Sequence, residues 1–462
     1  MENDEQKTNK MIKLGIRRLI WTMGLPMVVS IVLQALYNIV DTAFVINMGE
    51  EGINANLALT YAFPIQILMI AIGVGTGIGI NALLSKCLGE GQKSQVRKVA
   101  GNSLFIGVII YLVFLLFGLF GSKAFISMQA DENQEAIEMG SKYLTIVCTL
   151  SFGQVGYTIY ERFLLSTGKT LYSTIGQIAG ALANIILDYV FIYPLRMGVA
   201  GAAYATIIGQ CLSLDLDMLF HYIMNKEITN GIKDIAPRSS IIIEIYKIGI
   251  PAAIMQTLLA VMMLGVNLIL GTSQFNRELI QGSFGIYYKI QQIPLFAAFG
   301  MSNALISIIS FNYGLKEKER VKKAAELGQL YTMIVCLVFT VLSEVSAGPI
   351  ANIFSLASGS SSSSITDIVI LAIHIASIGY IFMGLSVASQ GILQGLRYIC
   401  SPVIISFLRL IIFVLPLVFC FTLNENGITL FWLSFPISEI LTSIITFFIT
   451  KKELSVSLSA ID

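Results

Sequence analysis

At 462 residues, 55% hydrophobic and only 12% charged, with mean hydropathy +0.79, the chain is too apolar for a soluble protein, in which about 25% of residues are charged. A formal net charge of +1 gives no general attraction to nucleic acid. What remains is an all-α, polytopic membrane protein, each span needing about 20 apolar residues.

Residues 1–15 are polar and basic, and the apolar run that follows is too long for a cleavable signal. Spans are expected at about 16–47, 55–85, 98–121, 137–163, 170–193 and 199–224. A polar connector at 225–240 separates them from a second set at about 241–270, 282–312, 323–346, 366–392, 398–422 and 427–450. Twelve spans place both termini on one side, and alternate loops then collect roughly 22 basic residues against 4. The excess makes that side cytoplasmic, and the plasma membrane is the expected location. The serine run Ser358–Ser364 reads as a flexible outer linker.

The first span carries Gln34, Tyr37, Asn38 and Asp41 at i, i+3, i+4, i+7, on one helix face. A carboxylate at that depth costs roughly 2.5–3.5 kcal/mol on insertion scales, so Asp41 is expected to serve a function. The alternative is a structural acid paired to a neighbouring helix. The fifth span has a second polar stripe, with Gln177, Asn184 and Asp188. If the two stripes meet, two carboxylates share a small dry volume, and either a proton or Na⁺ held by oxygen ligands relieves their repulsion.

Other polar residues have plainer readings. Asp215, Asp217 and His221 are expected at the membrane interface, as is an ion pair between Glu161 and Arg162. Lys289 and Arg409 either snorkel or line a cavity, with Glu439 available to neutralise one of them. His374 reads as a hydrogen-bonded core histidine, and the six cysteines as small hydrophobes without metal spacing. Gly73, Gly75, Gly77 and Gly79 read as close helix packing or a bend.

The halves repeat at about 225 residues. Met23-Gly-Leu-Pro26 recurs as Ile248-Gly-Ile-Pro251, and Ser85-Lys-Cys-Leu-Gly89 as Ser310-Phe-Asn-Tyr-Gly314. Ser166-Thr-Gly168 recurs as Leu393-Gln-Gly395. Six spans per half make this a parallel repeat, hence two like lobes, 1–224 and 241–462, joined by 225–240, with a cleft expected where they face. Val266 stands where Asp41 would recur, so the coupling chemistry is expected in the N-terminal lobe.

Three patterns resemble the multidrug and toxic compound extrusion (MATE) transporters. They are Pro26 with Gln34-Ala-Leu-Tyr-Asn-Ile-Val-Asp41-Thr42, the Leu88-Gly89-Glu-Gly91 turn, and Asn184-x-x-x-Asp188 followed by Gly198-Val-Ala-Gly-Ala-Ala203. The N-lobe acids without C-lobe partners are similar to the DinF-like, MepA-like branch. The resemblance implies a cation or proton site of Asp41, Asn184, Asp188 and Thr206, with Na⁺ possible at Asp41, Asn184 and Asp188. It implies a substrate cavity lined by Gln34, Tyr37, Asn38, Gln154, Tyr157, Gln177, Gln256, Lys289 and Gln292. The expected activity is H⁺- or Na⁺-coupled export of small cationic or amphipathic compounds, by rocking of the lobes of a monomer in the bilayer, without a cofactor. A lipid-linked sugar flippase of related architecture is the alternative. An enzyme is not expected: there is no Walker motif, and His221 and His374 are the only histidines.

Overall fold

The computed structural model describes residues 10–46, 48, 52–129, 133–229, 231–272, 276–357, 363–424 and 427–461. Most of Ser358–Ser364 lies outside the described residues. The chain is helical throughout them. We name the long helices α1 (Ile16–Ile46), α2 (Gly52–Gly89), α3 (Lys93–Phe120), α4 (Gln134–Thr149), α5 (Phe152–Ser166), α6 (Thr170–Ile192) and α7 (Val199–Met224). The second half holds α8 (Ser239–Thr272), α9 (Arg277–Gly314), α10 (Lys318–Val345), α11 (Ser363–Ala376), α12 (Gly379–Gly395), α13 (Cys400–Phe407), α14 (Val414–Thr422) and α15 (Gly427–Ser459).

Among the described residues, ten helices are long and apolar enough to cross a membrane, or eleven when the pair α11 and α12, bent by 59°, counts as one. The expected fourth span is covered by α4 and α5, each shorter than a bilayer. A turn of π-helix, Leu408–Phe413, joins α13 to α14.

The chain divides into two compact units, Leu33–Gly249 in one and Met1–Val32 with Ile250–Asp462 in the other. The division runs through α1 and α8, the helices that contain Pro26 and Pro251, rather than through the connector. The connector is docked within the first unit. Asn102 on α3 donates to the Ala236 carbonyl at 3.3 Å and accepts from the Arg238 amide at 2.7 Å. Asp234 accepts from the Gly231 amide at 2.9 Å and pairs with Arg97 at 3.3 Å. Those contacts, the amide first, hold its carboxyl below the usual carboxylate range.

Within the first unit, α6 and α7 approach backbone to backbone. A Cβ on Gly180 would stand 2.4 Å from the Gly209 carbonyl oxygen, and one on Gly209 2.6 Å from that of Gly180. Ser213 donates across the same seam to the Gly176 carbonyl at 3.1 Å. Small residues are what allow such contact between spans. On α2, Gly79 does the same work toward α8, since a Cβ there would lie 2.1 Å from the Ile245 carbonyl oxygen. The reading as close packing holds there.

In the second unit the start of α1 packs on α9, where Gly300 leaves room for the Val28 backbone. Arg320 donates to the carbonyls of Met11 and Leu14 at 2.6 and 3.2 Å and to Asn312 at 2.7 Å. Phe284, Tyr287, Phe431, Trp432 and Phe435 form an aromatic core between α9 and α15. Faces left apolar and exposed, such as Leu112, Val113, Leu116 and Leu119 on α3, suit lipid.

The repeat extends to turn geometry. Gly91 and Lys316 both take positive φ, 70° and 61°, after the Leu88-Gly89 and Tyr313-Gly314 turns. Behind them the amides of Gln92 and Glu317 return to the carbonyls of Cys87 and Asn312, each at 3.1 Å. Gly168 and Arg397 repeat the pattern at 77° and 68°. These are Schellman caps, which favour glycine at the left-handed position. Only the first half has glycine there. Lys316→Gly is therefore expected to raise stability by about 1 kcal/mol, the relief of a left-handed lysine less the added chain entropy. Thermal unfolding in detergent checks this, and an unchanged or lower midpoint contradicts it.

Candidate cation-binding site

Helical spacing sets the site. Residues 34, 37 and 41 of α1 line one stripe, residues 176, 180, 184 and 188 of α6 another, and the glycine seam brings α7 against the second. Asn184 Nδ2 donates to Thr206 Oγ1 at 3.5 Å. Asp188 is fully buried and Asn184 nearly so. The Asp41 and Asp188 carboxyls lie close enough to couple electrostatically. Yet Asp41 Oδ1, both oxygens of Asp188 and Asn184 Oδ1 are buried and have no hydrogen-bond partner among the described residues.

Three tyrosines lie around this pair and the Gln34 amide. The hydroxyl of Tyr37 shares a hydrogen bond with Gln34, and Tyr157 shares one with the same amide. Tyr143 on α4, 2% exposed, accepts from Gln66 Nε2 of α2 at 2.7 Å and lies within electrostatic reach of both acids. Sequence reasoning named Tyr37, Gln34 and Tyr157 but missed Tyr143 and Gln66. The signal for Gln66 was available: a lone amide in the middle of an apolar span, as with Asp41.

The arrangement gathers carboxylate, amide and hydroxyl oxygens with no cation side chain among them. Buried acceptors without donors are costly, so the geometry favours a proton or a hard monovalent cation over an anion. A buried carboxylate pair also has a local charge that a bound cation would neutralise.

The MatE family profile matches residues 26–190 and 251–420. The chain belongs to the MATE family. Its members are transporters, not enzymes. Among curated relatives, this MATE-family chain is 24% identical to the multidrug export protein MepA of Staphylococcus saprophyticus over 383 residues, 80% of the chain and 83% of the relative. It is 25% identical to MepA of Staphylococcus aureus over 324 residues, 69% of the chain and 70% of the relative. Among solved structures, an outward-facing multidrug resistance MATE transporter of the MOP superfamily superimposes with TM-score 0.91 at 21% identity, covering 98% of both chains. A MOP superfamily transporter from Pyrococcus furiosus does so at 0.89 and 20%, covering 97% of this chain and 98% of that one.

The remaining expected residues of this MATE chain fall into both units. Gln154 and Gln177 are half-buried in the unit that holds the acids. Gln256, Lys289 and Gln292 are half-buried in the other. The side chain of Asn38 lies outside the described residues. Arg409, 3% exposed, is neutralised by Glu439 at 2.9 Å, as the sequence suggested.

Three readings need correction. His374 is no core residue: it is exposed and pairs with Glu344 at 2.6 Å. Asp217 and His221 are buried rather than interfacial, although Asp215 is exposed. The Glu161–Arg162 pair, at 3.3 Å, is buried too. Glycines on α2 and α6 explain this depth, because they remove the side chains that would otherwise fill it. Of the cysteines, Cys400 and Cys420 are exposed and the others wholly or partly buried.

Proposed function

We propose that this protein is a secondary multidrug exporter that moves small cationic or amphipathic organic compounds outward in exchange for H⁺ or Na⁺. The observation that carries the reading is the Asp41–Asp188 pair, three of whose buried oxygens have no hydrogen-bond partner among the described residues. Asn184 and Thr206 add neutral oxygens to it, and Gln34, Tyr37 and Tyr157 border it. The MepA relatives, named as multidrug export proteins, support the substrate class.

The mechanism follows from charge. With both carboxylates free, the pocket attracts an organic cation. A proton or Na⁺ entering from outside neutralises the same oxygens and expels it, so the two bind in alternation. The cation's preference for one state of the N-terminal lobe then biases exposure of the site. The halves 1–224 and 241–462 act as the rocking lobes of a monomer, in the plasma membrane, with both termini cytoplasmic. Because Arg409 is held by Glu439, the cationic support for a flippase of anionic lipid headgroups is weakened.

Proteoliposomes loaded with tetraphenylphosphonium and given a proton or a sodium gradient, one at a time, test this. Export driven by one gradient is expected, and it names the ion. No export under either would overturn the reading.

A further inference from the structure

The unit that holds the acid pair contains a second buried charge cluster that the mechanism above does not use. Glu161 and Arg162 lie near the end of α5, each 4% exposed, and Asp217 on α7 is 0% exposed. Neighbouring helix residues do not ordinarily face each other, so the Glu161–Arg162 pair requires the guanidinium to fold back. Gly77 on α2 makes the room, since a Cβ there would stand 2.9 Å from Arg162 Nε. Gly176 does the same for Asp217, where a Cβ would lie 2.5 Å from Oδ1.

The polar atoms are unsatisfied. Among the described residues neither oxygen of Asp217 has a hydrogen-bond partner, and neither do Nε and Nη1 of Arg162. Glu161 is the charged group that acts on Asp217. The nearby ionisable groups are engaged elsewhere: His221 stacks on Tyr160 and Phe163 and bonds Asn225 at 3.3 Å, and Lys169 pairs with Glu227. The facing residues of α6, Ser173, Gly176 and Gly180, carry no charge.

Two carboxylates against one guanidinium leave one negative charge uncompensated. Arg409 and Glu439 in the other unit balance one to one in charge. A buried uncompensated charge costs several kcal/mol, so the triplet calls for one cation.

We propose that Asp217, with Glu161 and Arg162, forms a second site for a monovalent cation, a proton or Na⁺, on the connector side of the acid pair. The coupling ion rests there on its way between Asp41–Asp188 and water. This rests on the antiport reading above. Thr206, at the acid pair, and Asp217 are 11 positions apart on α7, about 16 Å along the axis. That is too far for direct transfer, but polar groups bridge it. Tyr157 lies one turn before Glu161, within reach of the Glu161 and Arg162 charges, and bonds Gln34. Gln34 bonds Tyr37, which is within reach of Asp41 and Asp188.

The test uses the purified full chain. Bound cation is counted in the absence of tetraphenylphosphonium, by proton titration with a pH indicator for H⁺ and by equilibrium ²²Na⁺ binding for sodium, which separates the two sources. Gradient-driven export of the same compound is timed in proteoliposomes. In Asp217→Asn, export is expected to slow by about tenfold or more while equilibrium tetraphenylphosphonium binding stays within about twofold. One fewer cation should bind per protein. Gly176→Ala, which displaces the carboxylate without removing it, should slow export in the same direction and serves if Asp217→Asn does not fold. Wild-type rate and wild-type cation count in Asp217→Asn, with Asp41→Asn inactive, would overturn this site alone. Full export by Asp41→Asn would instead overturn the antiport reading.

Discussion

Asp188→Asn, and separately Asp41→Asn, should abolish gradient-driven export while leaving the protein at least as stable as wild type. The substitution keeps shape and removes charge. Asp188 is fully buried, and three oxygens of the acid pair have no hydrogen-bond partner among the described residues. A buried acid that served only to hold helices together would have donors facing it, and its loss would leave them orphaned at about 1–3 kcal/mol each. Among the described residues no donor completes a hydrogen bond to these oxygens, and the Asn184 amide beside Asp188 keeps Thr206 as its acceptor. Neutralising one carboxylate relieves repulsion, so the thermal midpoint should hold or rise. Transport should fall by about a hundredfold or more, because a pocket with one permanent neutral member cannot alternate between cation and substrate. Export rate and unfolding midpoint are measured on the same preparation. Export lost together with stability would return Asp188 to a structural role.

Glu439→Leu should be the most destabilising single change in the second unit. Arg409 is 3% exposed and Glu439 7% exposed, and their contact is 2.9 Å. The π-helical turn at Leu408–Phe413 positions the arginine, and Ser438 donates to the Arg409 carbonyl at 2.9 Å. Removing the carboxylate strands the guanidinium in an apolar, aromatic setting at a cost of about 3–5 kcal/mol. The double variant Arg409→Met with Glu439→Leu should recover most of that loss, since no charge is then left unpaired. Thermal unfolding of the two single variants and the double closes the cycle. A Glu439→Leu protein as stable as wild type would show that Arg409 finds another partner.

What the sequence disclosed follows from the cost of polar groups in lipid. Asp41, Asp188, Asn184 and the partnership of Arg409 with Glu439 could be read because each breaks a long apolar run, where a polar side chain demands a reason. The glycines of α2 could be read because their spacing has few uses in a span. The deeper packing could not. Whether Asp217 and Glu161–Arg162 sit at an interface or inside depends on Gly77 and Gly176 lying opposite them, a fact of tertiary contact and not of spacing. Tyr143 escaped notice because it follows Lys142 near a helix end and looks like an interfacial aromatic. The break between α4 and α5 at Leu150–Ser151 interrupts an apolar stretch without proline or glycine at the break, so hydropathy runs through it. Lys316 and Arg397 at left-handed turns showed no glycine to mark them, and only the repeat pointed to their geometry.

The central claim is that substrate and coupling cation compete for Asp41 and Asp188. It is tested most directly by titrating tetraphenylphosphonium into purified protein while following ²²Na⁺ displacement and, in separate unbuffered samples, proton release. Saturable release of one of the two ions is expected, abolished in Asp41→Asn and in Asp188→Asn. Tetraphenylphosphonium binding that releases neither ion, or release that persists in both variants, would contradict it.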